Sequence, residues 1–155
     1  MREYVRRSEY HPDMEKLREL LSKVTDEQKL NILQQTKIGR DRTALHVAAG
    51  RNDAEMITTI LSSLDSSYRL DPLMEKDFIR RTPLHIAARG GHTESVKAIL
   101  GSLTADQQIH LLPEEDWYGE TAVEMASGLS ADILSEYKNR AADSGEFLHR
   151  NSNFM

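Results

Sequence analysis

Cysteine is absent from the 155 residues, which rules out disulfides and thiolate metal sites. A basic excess is absent too. Lys and Arg number 20 against 25 Asp and Glu, a net charge of −5, whereas a dedicated nucleic-acid binder carries a basic surplus. No apolar run approaches the roughly 20 residues of a membrane span. The first seven residues, Met1-Arg2-Glu3-Tyr4-Val5-Arg6-Arg7, lack the apolar stretch of a secretory signal. No G-x-S-x-G, P-loop or G-x-G-x-x-G occurs, so acyl-transfer and nucleotide chemistry have no support. These absences predict a soluble, cytoplasmic chain with no nucleic-acid or membrane partner and no cofactor.

What is present is a phrase that recurs. Thr82-Pro83-Leu84-His85-Ile86-Ala87-Ala88 is echoed by Thr43-Ala44-Leu45-His46-Val47-Ala48-Ala49 and by Thr121-Ala122-Val123-Glu124-Met125-Ala126, with the threonines 39 residues apart. A T-x-L-H-x-A-A core at fixed period marks a stack of helix pairs, each burying its apolar face on its neighbours. Thr82 is suited to cap the first helix, and Pro83 to its first position, where a missing N–H costs little. Gly90-Gly91 ends it. A second helix begins near Thr93, with Val96, Ile99, Leu100 and Leu103 on one face. The same face recurs at Ile57, Ile60, Leu61 and Leu64, and at Leu17, Leu20, Leu21 and Val24. The last set precedes the first T-x-L-H phrase, so a helix starting near Asp13 and Met14 is the second half of an incomplete unit. A further set of leucines follows each second helix: Val24, Leu30 and Leu33; Leu64, Leu70 and Leu73; Leu103, Ile109 and Leu112. With Thr25 and Thr104 as caps, these predict a short extra helix in each unit.

The stretch from Thr82 through Arg89-Gly90-Gly91-His92 to Leu100 resembles an ankyrin repeat, in a form longer than the usual unit of about 33 residues. The resemblance implies an all-α solenoid of helix-turn-helix units with hairpin loops, about three repeats plus an N-terminal half-repeat cap. Residues 1–12 are expected to be a flexible segment and 13–142 a single domain. Within it, 13–42 form the half-repeat cap, 43–81 the first repeat, 82–120 the second and 121–142 a degenerate last repeat. Residues 143–155 are expected to be a flexible tail. The family's hairpin reads D-x-x-G-x-T. Asp116-Trp117-Tyr118-Gly119-Glu120-Thr121 fits it fully. Asp77-Phe78-Ile79-Arg80-Arg81-Thr82 puts Arg80 at the glycine, where a positive φ is costly, so a reshaped turn is expected. The first copy has Asp41 there, with its alignment open. In the last copy Glu124 replaces the histidine, and the Gly-His turn is missing around Ser127-Gly128-Leu129-Ser130.

Six histidines invite a metal reading. The resemblance assigns His46 and His85 to hydrogen bonds with the capping threonine and neighbouring backbone, and His92 to the Gly-His turn. His11, His110 and His149 have no H-x-x-x-H or H-E-x-x-H spacing, so no metal is expected. Glu114-Glu115-Asp116 reads as a solvated loop, with Asp116 anchoring its hairpin, and no catalytic residue or enzymatic activity is expected. Arg80-Arg81-Thr82 and Arg6-Arg7-Ser8 are weak matches to a basophilic phosphorylation motif, and Thr82 is already expected to cap a helix.

The resemblance implies a non-catalytic protein-interaction module, a scaffold, adaptor or inhibitor, that binds through hairpin tips and the exposed end of each repeat's first helix. The positions implied are Trp117, Tyr118 and Glu120 in the last hairpin, Phe78, Ile79 and Arg81 in the middle one, Arg40 and Arg42 with Gly39 in the first, and Arg51 and Arg89 at the helix ends. Trp, Tyr and Arg are the types enriched in interface hot spots. The arginines suggest a partner with acidic flanks around an apolar anchor. Alternatively, Phe78 and Ile79 fold back onto the extra helix and Trp117 packs on its neighbour. A monomer is expected, with a homodimer, a self-associating array or a bacterial effector acting on host proteins as alternatives.

Overall fold

The computed structural model describes residues 14–35, 37 and 39–153. The expected N-terminal segment 1–12, with its Arg6-Arg7-Ser8 motif and His11, lies outside the described residues. Ten α-helices and no strand are found among those described. In chain order they are α1 (Met14–Ser22), α2 (Asp26–Gln35), α3 (Ala44–Gly50), α4 (Ala54–Ser62), α5 (Leu70–Leu73), α6 (Pro83–Arg89), α7 (Thr93–Gly101), α8 (Ala105–Leu111), α9 (Ala122–Met125) and α10 (Leu129–Asn153).

The helices pack in three rows. The helices that open each repeat stack as α3, α6, α9, and the second helices stack as α1, α4, α7, α10. The extra helices form a row of their own, α2 against α5 against α8, with α10 closing on α8. One continuous apolar cluster runs through all three, from Leu33 by way of Leu61, Leu73, Leu84 and Leu100 to Leu111 and Leu134. Each fully buried leucine contributes about 1.5–3 kcal/mol from area removed from water. Ala48, Ala49, Ala87 and Ala88 are fully buried, and their small side chains let α3 and α6 lie close.

Local signals explain the helix limits. Thr43, Thr82 and Thr121 each accept a hydrogen bond from the backbone N–H three residues on, and the side chain of that residue accepts from the threonine's own N–H. This reciprocal box satisfies two donors left open at a helix start. Thr104 with Gln107, and Thr25 with Gln28, repeat the device in the extra helices. After α6 the chain turns through Gly91 at φ 68°, and after α3 through Asn52 at φ 56°, left-handed positions that Gly and Asn enter most readily.

Two helices depart from the expected pattern. In the middle unit the extra helix is split, with a 3-10 turn at Ser66–Tyr68 before the short α5. Pro72 has no N–H to give the Tyr68 carbonyl four residues back, so an α-helical ladder cannot run through. At the other end, α10 continues to Asn153, past the expected end of the last repeat at 142. Where the second repeat has Ser102-Leu103-Thr104, a stop followed by a cap, this stretch has Ala141-Ala142-Asp143. Alanine favours continuation, so the second helix and the extra helix become one.

Candidate functional site

The loops before Thr82 and Thr121 are tight hairpins, each held by a buried aspartate, Asp77 and Asp116. Asp77 Oδ1 accepts from the N–H groups of Ile79 at 3.0 Å and Arg81 at 2.9 Å. Asp116 Oδ1 accepts from Tyr118 and Glu120, both at 2.9 Å. In each loop the aspartate's own N–H donates to the carbonyl four residues on. The residue at the glycine position has positive φ in both, 64° at Arg80 and 77° at Gly119. The middle turn is therefore not reshaped by Arg80, as the sequence suggested. The arginine takes the glycine's conformation and the side-chain cage of Asp77 holds it there.

The hairpins are linked into a row. Phe78 N–H donates to the Arg40 carbonyl at 3.0 Å, and Trp117 N–H to the Ile79 carbonyl at 2.9 Å. Beneath the row, the motif histidines join each helix start to the next hairpin. Thr82 N–H donates to His85 Nδ1 at 3.1 Å, so that nitrogen is unprotonated, and Nε2–H donates to the Glu120 carbonyl at 2.9 Å. His46 does the same with Thr43 and the Arg81 carbonyl at 2.8 Å. Burial pushes both imidazoles below their usual range, against the raising effect of these carbonyls and of Asp77 and Asp116. Glu124 caps α9 in the histidine's place, accepting from Thr121 N–H and Oγ1–H. No further hairpin follows α9 among the described residues, so an acceptor alone suffices there.

A ladder of charge runs along the same edge. Arg81 Nε lies 3.4 Å from Asp116 Oδ2 and Arg42 Nε lies 4.0 Å from Asp77 Oδ2. Burial raises the Asp116 carboxyl, but the Glu120 and Tyr118 N–H groups and the Arg81 guanidinium outweigh it and hold the group below the usual carboxylate range. Arg42 and Arg81 thus reinforce the stack instead of forming a free basic rim. Arg51 and Arg89 are exposed, but they sit at the far ends of α3 and α6, about 10 Å along a seven-residue helix from the hairpins.

What the row presents outward is aromatic. Trp117 is 68 % exposed and Tyr118 72 %. Phe78 is exposed beneath the Arg40 guanidinium, which lies 5.7 Å from its ring centre, and Ile79 is half-buried. Glu120 and Gly39 are exposed. Trp117 therefore does not pack away on its neighbour. Arg80, exposed between these tips, is absent from the positions the resemblance implied, because the family pattern assigns its place to glycine. His110 accepts no role beyond its own helix, its Nδ1 lying 2.8 Å from the Asp106 carbonyl.

A stack of helix pairs joined by a bonded row of protruding hairpins defines a helical repeat solenoid with its loops on one edge. A sequence profile for ankyrin repeats in three copies matches residues 8–110. The chain belongs to the ankyrin-repeat family, whose members are generally protein-interaction modules and typically non-catalytic. No curated protein matches the sequence. The last hairpin and α9 lie beyond the matched span, and their place in the array rests on the hydrogen-bond pattern shared with the middle hairpin. No helix among the described residues is long and apolar enough to cross a membrane.

Proposed function

We propose that the protein is a non-catalytic interaction module that takes a protein partner on its hairpin row, with Trp117 and Tyr118 as the anchors. The observation that carries this reading is the pairing of two large aromatic side chains, each more than two-thirds exposed, on a loop whose backbone is tightly held. A rigid aromatic loses little entropy on binding and removes a large apolar area from water. Phe78 and Arg40 extend the surface along the row. The module acts as a cytoplasmic monomer, in a scaffold, adaptor or inhibitor role. Hydrogen exchange on the full chain, with and without a protein recovered by affinity capture, tests this. Protection is expected to gather on the loops around Phe78 and Trp117. Protection confined to α10 or to α1 and α2 would refute the assignment.

A further inference from the structure

The hairpin row has a direction, and its last member is left open. Each internal step uses one backbone bond: the Arg40 carbonyl takes the N–H of Phe78, and the Ile79 carbonyl takes the N–H of Trp117. Tyr118 follows Ile79 by one period, and its hairpin repeats the middle one bond for bond. Its carbonyl is therefore the next acceptor in the series. Among the described residues it accepts no hydrogen bond. Both internal donors are aromatic residues, Phe78 and Trp117.

The charge pattern reverses at the same place. In the first two hairpins the residue before the threonine is an arginine, Arg42 or Arg81, aimed at the aspartate of the next loop. In the last hairpin that residue is Glu120, exposed. Another aspartate-anchored hairpin, whether a further repeat or a second copy, would meet a like charge there. A cation would meet an opposite one, and the exposed Glu115 adds to the field. We infer that the open end of the hairpin row takes an extended basic peptide segment, with an aromatic residue whose backbone N–H bonds the Tyr118 carbonyl and a neighbouring Lys or Arg facing Glu120. This specifies the partner of the surface proposed above and rests on that reading. It also replaces the acidic-flanked partner suggested by the arginines in the sequence, since Arg42 and Arg81 are committed within the stack.

A random linear-peptide library selected on the immobilised full chain tests the inference. Selected peptides are measured by calorimetry against the wild type, Trp117→Ala and Glu120→Arg, and again after N-methylation of the peptide's aromatic residue. Both substitutions are on exposed side chains, and urea unfolding confirms that each variant is folded. The expected peptides pair an aromatic with Lys or Arg. They lose about ten-fold or more in affinity on N-methylation and on Glu120→Arg, as for one lost backbone bond or one reversed charge contact. Peptides weakened by Trp117→Ala but indifferent to N-methylation and to Glu120→Arg would overturn the open-acceptor inference while leaving the aromatic surface standing. Peptides indifferent to all three changes, or no selected peptide at all, would overturn both.

Discussion

His85 and Glu124 occupy the same position in successive repeats, yet the structure gives them different duties. Both accept the N–H of their capping threonine. Only His85 must also donate, to the Glu120 carbonyl, and it does so from a site 1 % exposed. His85→Glu would keep the cap, as Glu124 does, and lose the donor. It would leave a carbonyl unmet, at a cost of about 1–3 kcal/mol, and set a carboxylate against it in a buried place. The sum is expected near 3–5 kcal/mol, the range for an uncompensated buried charge. His85→Gln should be much milder, at about 1 kcal/mol, because an amide offers both an acceptor and a donor. Gln107 already shows the arrangement, accepting from Thr104 N–H and donating to the Ser66 carbonyl of the previous unit. Glu124→Gln, on the exposed cap, should stay within about 1 kcal/mol of the wild type. Urea unfolding followed by far-ultraviolet circular dichroism ranks the three. If His85→Glu fell within about 1 kcal/mol of the wild type, or if Gln were no better than Glu, the two-sided role of the histidine would be wrong.

Other consequences are as direct. Stability of the wild type should be level above about pH 6.5 and fall below it. The unfolded imidazoles protonate there while the lowered folded ones stay neutral, with a limiting slope of about 1.4 kcal/mol per pH unit for each histidine. A pH series of urea midpoints checks the sign, and stability that rose on acidification from pH 7 to 6 would contradict it. Arg80→Gly should raise stability by about 0.5–1 kcal/mol, because relief of a left-handed arginine exceeds the added freedom of glycine in the unfolded chain. A lowered melting temperature would show that Arg80 is not strained. Arg81→Ala should cost about 1–3 kcal/mol, since it removes a charged donor from the buried Asp116. Arg42→Ala, at the longer contact, should cost less than about 1 kcal/mol. Equal losses would dissolve the distinction between the two rungs.

Much of this architecture was legible in the chain because it is written three times. The threonine caps and the leucine spacing of the extra helix recur in three copies and the alanine pair in two, all at nearly one period, so chance matches cancel. Arg80 was harder to judge. A local rule against positive φ suggested a changed turn, but the carboxylate of Asp77 and the backbone of the neighbouring hairpins override that local preference. The continuation of α10 is hard to read from the sequence because Asp143, in the place of the capping Thr104, is itself a good N-cap residue, and only the helix-favouring Ala141-Ala142 pair marks the run-on. The ion pairs of Arg42 and Arg81 are hidden in the sequence for a different reason. Each arginine meets the aspartate of the next hairpin, at 4.0 Å for Arg42 and Asp77 and 3.4 Å for Arg81 and Asp116, and pairings between repeats emerge only when the loops are laid side by side. Trp117 and Tyr118 are legible as exposed candidates because the hairpin bonds through their backbone N–H groups and leaves their side chains unused.

The central claim is that recognition is carried by the aromatic tip of the last hairpin. The most direct measurement is the dissociation constant of a captured protein partner for the wild type and for a Trp117→Ala/Tyr118→Ala variant with unchanged urea midpoint. Loss of about 2 kcal/mol or more, roughly thirty-fold or greater, is expected when two hot-spot aromatics are truncated. An affinity unchanged within about two-fold, some 0.4 kcal/mol, in a folded variant would contradict the account.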